Sequence, residues 1–266
     1  MPEITKHQPG TFCWLTLNTS DAAGAKKFYS NLFDWATEDV PAGEGMTYTL
    51  LRMRGRDVAG LSQMDPSQCA PGQEPPPPHW FTFVAARSAA ETARKAGSLG
   101  GTIMMEAADV LDVGRMAVIQ DPSGGIFGLW EPLAHPGAGV MNEPGSLCWT
   151  ELMTHDPAKA DVFYRGLFGW SKQTMDMGAP DPYTMFEHGG RPAAGMMKIT
   201  PDMGPMPSNW MVYFQVNDCE HTAKRVGELG GQILVPPSDA PGVGRFAVAQ
   251  DPQGAVFAFI RMNPPA

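Results

Sequence analysis

The feature that most constrains this 266-residue chain is that its second half repeats its first. The segment Thr11–Trp35 aligns without a gap on Ser146–Trp170, and 12 of the 25 aligned positions are identical, at an offset of 135 residues. The offset falls to 130 after a Pro-rich insertion, Asp65–His79, in the first copy. Gly114–Gly124 then matches Gly244–Gly254 at 8 of 11 positions. A repeat of this length indicates two copies of one domain.

The repeat sets the expected domain boundaries. The first domain is predicted to span residues 8–133 and the second residues 146–264. Residues 134–145 between them are rich in Gly and Pro and lack a periodic apolar pattern, so we interpret them as a linker. Two domains also fit the chain length, because single domains usually contain about 100–200 residues.

Each copy contains two similar runs of secondary structure. Phe12–Asn18 is predicted to be a strand, and Asp21–Phe33 has apolar side chains at the spacing of a helix. Strands at Tyr48–Met53 and Val58–Met64 follow. The other predicted elements are a strand at Trp80–Val84, a helix from Ser88 to Gly100, and strands at Thr102–Met105, Arg115–Gln120 and Ile126–Trp130. Each copy is therefore predicted to use a βαβββ unit twice.

Composition and charge exclude several classes of partner. The formal net charge is −9, whereas nucleic acids and anionic membranes are bound by basic surfaces. No window approaches the roughly 18 consecutive apolar residues of a membrane-spanning helix, and the first residues lack the apolar core of a cleaved leader. The four cysteines show no C-x-x-C spacing, which favours small buried side chains over a disulfide or metal role. We expect a cytoplasmic protein without nucleic-acid or membrane partners.

Paired strand–helix–strand units, with an Asp-Pro-x-Gly turn before the last strand, resemble the vicinal oxygen chelate superfamily. That superfamily includes glyoxalase I, bleomycin-resistance proteins and extradiol dioxygenases. The resemblance covers nearly the whole chain and implies an α+β fold, in which each pair of units forms a curved mixed-sheet cup with helices outside and the ligand on the concave face. The residues that carry it are Phe28, Tyr29, Leu32, Phe33 and Trp35, their counterparts Phe163, Tyr164, Leu167, Phe168 and Trp170, and the turns Asp121–Gly124 and Asp251–Gly254.

The resemblance also implies where a metal would bind. In metal-dependent members the ligands lie on the first and fifth strands, often on the fourth, and a Glu lies on the last. The residues at these positions are Trp14 and Trp149 on the first strand, Phe81 and Met211 on the fifth, and Gly128 and Ala258 on the last. Divalent cations need carboxylate or imidazole donors, and none of these residues supplies one, so we predict no metal or other cofactor. The small residues on the last strand, Gly128 and Ala258, are expected to widen the pocket.

Glu151 is the candidate catalytic residue, and its counterpart in the first copy is Thr16. Because side chains alternate along a strand, Glu151 is expected to point the same way as Trp149, into the cup. A carboxylate among apolar side chains has a raised pKa and can act as a general base near neutral pH. The structural alternative is a Glu that pairs with Arg245 or Arg191.

Aromatic side chains are the candidates for ligand binding. Trp14, Trp149, Trp210 and Tyr213 suit a stacking pocket for a flat apolar compound, and core packing is the alternative. Arg245 opens a strand directly after a glycine. We expect it either to hold a ligand carboxylate or phosphate by a bidentate contact, or to close a turn or bridge the two halves.

Two functions follow from these residues. The first is a protein that binds a small, largely apolar molecule in an aromatic-lined cup. The second is an enzyme of lyase, isomerase or dioxygenase type. It uses either Glu151 as a base or a metal held by ligands elsewhere, such as His79, His155 and Glu151. Because the first copy has Thr16 in place of Glu151, and Phe83 where the second has a tyrosine, we expect one principal site, in the second domain. The chain is predicted to be a monomer with internal domain pairing or a homodimer.

Overall fold

Two eight-stranded mixed sheets form the frame of the molecule, one from each half of the chain. The computed structural model describes residues 3–43, 45–68, 75–176 and 181–263. The elements of the first domain are β1 (Phe12–Thr19), α1 (Ala22–Phe33), β2 (Ala36–Pro41), β3 (Thr47–Met53), β4 (Arg56–Gln63), β5 (His79–Ala85), α2 (Ala89–Ser98), β6 (Thr102–Val110), β7 (Gly114–Gln120) and β8 (Ile126–Pro132). Those of the second are β9 (Leu147–Thr154), α3 (Pro157–Phe168), β10 (Ser171–Met175), β11 (Tyr183–His188), β12 (Arg191–Lys198), β13 (Asn209–Gln215), α4 (Cys219–Glu228), β14 (Gln232–Ala240), β15 (Gly244–Gln250) and β16 (Val256–Met262).

The strand order confirms the prediction of two βαβββ units in each domain. The first sheet runs β2-β3-β4-β1-β5-β8-β7-β6, and the second repeats this order as β10-β11-β12-β9-β13-β16-β15-β14. Within a unit the first and last strands are parallel, as β1 and β4 are. The two units of a domain meet where β1 runs antiparallel to β5. The first strands of both units therefore lie at the centre of each sheet.

The main difference from the predicted elements lies at the sheet edges. The strand β2 was not predicted, because five of its six residues are exposed and it shows no alternation of apolar and polar side chains. The strand β6 continues five residues beyond the predicted Met105, and its register with β7 shifts at two points. Edge strands pair on one side only, so burial leaves a weaker pattern in their sequence than in central strands.

The two domains pack against each other through helices and central strands and share two hydrophobic cores. The first core joins β1, α1, β3 and β4 to α4, β13, β15 and β16, with Phe28 and Phe257 among its members. The second joins β5, α2, β7 and β8 to α3, β9, β11, β12 and β13, with Phe127 and Phe163 among its members. Each core thus contains residues from both halves of the chain, and both helices and strands contribute to it.

A buried hydrogen-bonded chain crosses this interface at the first core. Tyr29 on α1 donates its hydroxyl to Asp251 at 3.0 Å and accepts from the indole N–H of Trp80 at 3.0 Å. The other carboxylate oxygen of Asp251 accepts three backbone N–H groups of its own Asp-Pro-x-Gly turn. This carboxylate therefore caps a turn in one domain and anchors a helix of the other.

The second core contains the matching chain. Tyr164 on α3 donates to Asp121 at 2.6 Å and accepts from Trp210 at 3.0 Å. Both tyrosines are fully buried, and burial raises the pKa of each well above its usual value. The repeated tyrosine and the repeated Asp-Pro-x-Gly turn, which are far apart in the sequence, thus meet across the domain interface.

Among the described helices, the longest have 12 residues, and none is long and apolar enough to cross a membrane.

Candidate ligand-binding cup

The face of each sheet that points away from the helices carries the candidate residues. On β1, Leu15 lies in a shared core, so its neighbours Trp14 and Thr16 lie on the opposite face. On β9, Leu152 lies in a shared core, which places Glu151 on the opposite face. We call these opposite faces of the first and second sheets the first cup and the second cup.

The first cup contains a neutral hydrogen-bonded set. The indole N–H of Trp14 donates to the Tyr48 hydroxyl at 2.9 Å, and that hydroxyl lies 2.7 Å from the hydroxyl of Thr16. Tyr48 reaches this position by crossing directly over Gly60, where a Cβ atom would lie only 1.7 Å from the phenolic oxygen. The repeated glycine is therefore required for the close approach of the tyrosine.

One end of the first cup is filled by the linker between the domains. The His135 ring packs edge-on against Trp14 with 4.5 Å between centroids, and its backbone carbonyl accepts from the Trp130 indole at 2.9 Å. Further along, the backbone N–H of Ala138 donates to the carbonyl of Cys13 at 2.8 Å. Trp14 is consequently only 4% exposed.

The small residue on the last strand does not widen the first cup. A Cβ atom at Gly128 would lie 2.3 Å from the Phe83 ring and 2.9 Å from the Phe81 ring. These two aromatic side chains, 5.0 Å apart between centroids, occupy the space that a longer side chain at Gly128 would need.

The second cup repeats the frame of the first. The Trp149 indole donates to the Tyr183 hydroxyl at 2.9 Å. Tyr183 crosses over Gly195, where a Cβ would lie 1.8 Å from the phenolic oxygen. In contrast to Trp14, Trp149 is partly exposed. The tryptophan of the second cup is thus partly exposed to solvent, whereas that of the first cup is buried.

A buried carboxylate replaces Thr16 in this frame. Glu151 lies between Gly195 and Met211 on the neighbouring strands and is 5% exposed. Its Oε1 accepts from the Tyr213 hydroxyl at 2.9 Å, and it is also hydrogen-bonded to Tyr183. The direction of Glu151 and its proximity to Trp149 and Tyr213 agree with the alternation of side chains along the strand.

The environment of Glu151 favours its neutral form more than water does. Burial raises the pKa of this carboxyl group, and the hydrogen bonds from Tyr183 and Tyr213 offset only part of that rise. Burial also raises the pKa of both tyrosines, so their hydroxyls remain protonated donors at neutral pH. The expected alternative of pairing with Arg245 or Arg191 is not found: the partners of Glu151 are the two phenols.

Two of the predicted site residues lie outside the cups. Trp210 is in register with Leu152 and belongs to the second shared core, where it donates to Tyr164. Its neighbour on β13, Met211, faces the second cup instead, because adjacent strand residues point to opposite faces. The placement of Trp210 in a ligand pocket is therefore corrected: it is part of the interface between the domains.

Arg245 also lies on the helix side of its sheet. Its Nε bonds Glu220 in the first turn of α4 at 2.5 Å, and its Nη1 bonds Asp239 at 2.9 Å. Of the two expected roles, ligand clamp and structural bridge, the structure supports the bridge. The bridge joins elements within the second domain and does not join the two halves. The residue does not approach Glu151, since it lies on the opposite face of the sheet.

The residues at the family's metal positions do not fit a metal ion. Trp149 and Met211 supply no anionic or imidazole donor, and Ala258 has none either. The hydroxyls near Glu151 are protonated phenols, which leaves one carboxylate as the donor set. Among the described residues, no group of three His, Cys, Asp or Glu side chains lies close enough to hold a metal.

The alternative ligand set is also dispersed. His79 lies in the first domain, 3.2 Å from the Asn18 amide, and His155 in the second bonds the carbonyl of Met206 at 2.9 Å. Neither is brought to Glu151. The cysteines Cys13, Cys148 and Cys219 are buried and unpaired, as expected for small core side chains, and Cys69 lies outside the described residues.

Tyr183 is the site residue that the sequence analysis missed. Its position opposite Tyr48 in the repeat was visible, and each tyrosine is paired with a glycine at the same distance along the chain, Gly60 or Gly195. A tyrosine and a glycine retained together in both copies could have indicated a close approach between neighbouring strands.

The repeated sheet topology defines the class: a tandem pair of glyoxalase-like domains, each with a cup on one face of its sheet. The model of the Glyoxalase/Bleomycin resistance protein/Dioxygenase superfamily matches residues 11–128 and 146–259. The chain belongs to this superfamily.

Curated relatives align over nearly the whole chain. The CFP32 protein of Mycobacterium bovis, whose name proposes that it is a glyoxylase, is 39% identical over 265 residues, 99% of each chain. The anthracycline biosynthesis protein DauV of Streptomyces sp. (strain C5) is 34% identical over 268 residues, 98% of this chain and 96% of that protein.

Solved structures share the fold at low sequence identity. The 2,3-dioxygenase LapB from Pseudomonas sp. KL28 superposes with a TM-score of 0.65 at 11% identity, over 100% of this chain and 95% of that one. The Mn(II)-bound glyoxalase from Novosphingobium aromaticivorans gives 0.64 at 14% identity, over 96% and 82%. The arrangement of tandem cups is thus common to proteins with different chemistry.

Proposed function

We propose that this protein binds a small, largely apolar, planar molecule in the second cup. The observation that carries the proposal is a set of partly exposed aromatic and thioether side chains around one buried carboxylate. Flat rings and flexible Met side chains provide an adaptable apolar surface for aromatic ligands, and a few polar groups fix the ligand's orientation. The partly exposed members are Trp149, Tyr183, Met185, Met211 and Tyr213.

The same argument assigns no equivalent site to the first cup. There the linker covers Trp14, and Phe81 and Phe83 fill the space beside Gly128. The relatives named for anthracycline biosynthesis support the ligand class, since anthracyclines are flat polycyclic aromatic compounds. We infer one site per chain.

A binding titration with a neutral planar probe, 9-anthracenemethanol, tests this proposal. We expect one molecule bound per chain, and Trp149→Leu should weaken binding about tenfold or more, which corresponds to about 1.4 kcal/mol. The matched variant Trp14→Leu should leave affinity within about twofold, and Arg245→Ala should do the same, because neither residue lines the second cup. Two sites per chain, equal losses in both tryptophan variants, or no binding of either this alcohol or the corresponding amine would each contradict the proposal.

A second candidate function is proton transfer with Glu151 as general base. It is favoured by a buried carboxylate with a raised pKa and no cationic partner among the described residues. Ligands that bind should then exchange an acidic C–H proton for deuterium in D₂O, as measured by NMR, and Glu151→Gln should abolish the exchange. If the protein only binds its ligand, no exchange above the solvent rate is expected.

A further inference from the structure

Glu151 differs from the buried aspartates of the Asp-Pro-x-Gly turns in the number of donors around it. Asp251 accepts three backbone N–H groups on one oxygen and Tyr29 on the other. In the described hydrogen bonds, Glu151 accepts only from the phenols of Tyr183 and Tyr213. An ionised carboxylate offers about four acceptor positions, so Glu151 retains capacity for further donors whereas Asp251 does not.

The hydrogen bonds in the second cup all point towards this carboxylate. An indole N–H can only donate, so the Tyr183 hydroxyl accepts from Trp149 and its own proton is directed to Glu151. Tyr213 donates from the other side. The chain from Trp149 therefore ends on an acceptor, which is the arrangement that suits a negative charge on Glu151.

Among the described residues, no positive charge balances that negative charge. None of the ion pairs among the described residues includes Glu151, and its described electrostatic neighbours are neutral phenols. A buried charge without a counter-ion is unfavourable. The side chains around it are aromatic, and a cation is attracted to the faces of tryptophan and tyrosine rings.

We infer that the ligand of the second cup carries a basic nitrogen, bound as a cation against Glu151 and among the rings of Trp149, Tyr183 and Tyr213. This inference rests on the proposed function, since it specifies the chemistry of the same ligand. The first cup is the natural contrast: it has Thr16 and Phe83 at the two matching positions, so it lacks both the charge and the second phenol.

Matched probe pairs separate this inference from the proposed function. The pairs are benzylamine and benzyl alcohol, 1-naphthylmethylamine and 1-naphthylmethanol, and 9-anthracenylmethylamine and 9-anthracenemethanol, measured by calorimetry at pH 7. Within each pair that binds, we expect the amine to bind about tenfold or more tightly than the alcohol, and Glu151→Gln to reduce that ratio to about two or less.

One control variant addresses non-specific attraction to a chain of net charge −9. Glu91→Gln removes one exposed negative charge on α2 and should leave the amine preference unchanged. If Glu151→Gln fails to fold, the double variant Glu151→Thr, Tyr213→Phe, which reproduces the combination found in the first cup, replaces it and should likewise reduce the amine-to-alcohol ratio to about two or less.

The outcomes are distinct. Equal affinity for amine and alcohol in the wild-type protein overturns the basic nitrogen and leaves the planar apolar ligand standing. An amine preference that survives Glu151→Gln, or that disappears in Glu91→Gln, also overturns it. Absence of binding by all six probes overturns the proposed function, and the inference with it.

Discussion

The two cups share a frame and differ at two positions on adjacent strands. In both, a tryptophan donates to a tyrosine at 2.9 Å across a glycine that permits the approach. In the second cup this tyrosine contacts Glu151, and in the first it contacts Thr16. The second differing position, on the neighbouring strand, holds Tyr213 in the second cup and Phe83 in the first. Because these two positions lie on adjacent central strands, a pair of substitutions is enough to separate a charged site from a neutral one.

The two cups also differ in the exposure of their tryptophans, and this difference is caused by the linker, which is not part of the repeat. His135 in the linker packs on Trp14, whereas Trp149 in the second cup is partly exposed. The first cup is therefore closed by packing at its tryptophan, and the second is the more open of the two.

The largest expected change in the free energy of unfolding comes from introducing a carboxylate into the first cup. Thr16→Glu places a charge beside Phe81 and Phe83 without a second phenol, and we expect it to lower the free energy of unfolding by about 3 kcal/mol or more. Adding Phe83→Tyr should recover about 1 kcal/mol through one hydrogen bond. Urea denaturation measures both changes.

The reverse exchange sharpens the same comparison. Glu151→Thr combined with Tyr213→Phe reproduces the combination found in the first cup. This double variant should be at least as stable as the wild-type protein at neutral pH, because it removes an uncompensated buried charge. A large loss of stability would show that Glu151 contributes to the fold rather than to a site.

The next prediction concerns a feature that the two halves share, the tyrosine–aspartate hydrogen bond across the domain interface. Tyr29→Phe and Tyr164→Phe each remove the hydroxyl that bonds an aspartate across the domain interface. We expect each to lower the free energy of unfolding by about 1–3 kcal/mol, since a buried acceptor loses its donor. Thermal and urea unfolding should give similar losses for the two variants, and a loss confined to one would break the equivalence of the two interfaces.

The smallest effect concerns pH. The pKa of Glu151 is raised in the folded protein, so the folded state holds a proton that the unfolded chain releases above about pH 4.3. This contribution to stability is present below the unfolded pKa and is lost as the pH rises through the folded pKa. Relative to Glu151→Gln, the wild-type protein should therefore become less stable from pH 4 upwards, by at most about 1.4 kcal/mol per pH unit.

Urea titrations of both proteins between pH 4 and 8 give this difference directly. Thr16→Val serves as the control, because Thr16 does not titrate and its difference from wild type should be independent of pH. A wild-type protein that gains stability relative to Glu151→Gln as the pH rises would reverse the assigned direction of the pKa shift.

Much of the fold could be predicted from the sequence. The repeat indicated two domains, and the spacing of apolar residues located the central strands and the two helices of each copy. The edge strand β2 could not be located this way, because its side chains are exposed on both faces. Within the site, the alternation of side chains correctly oriented Glu151, since that rule depends only on its being in a strand.

Trp210 was predicted to line the cup because it is aromatic, and this prediction is wrong. It precedes Met211 on β13, so only one of the two can face the cup, and Trp210 lies in the shared core. Tyr164, the partner that explains its position, is 46 residues away in the sequence. No local pattern marks such a pair.

The sequence by itself determined the duplication, the strand–helix–strand order and the face on which Glu151 lies, because these follow from identity and periodicity along the chain. Only the tertiary structure decided that Tyr29 meets Asp251, 222 residues away, that Arg245 pairs with Glu220, and that the linker covers Trp14. These contacts depend on how two sheets and their helices pack in three dimensions. The open second cup is a result of that packing.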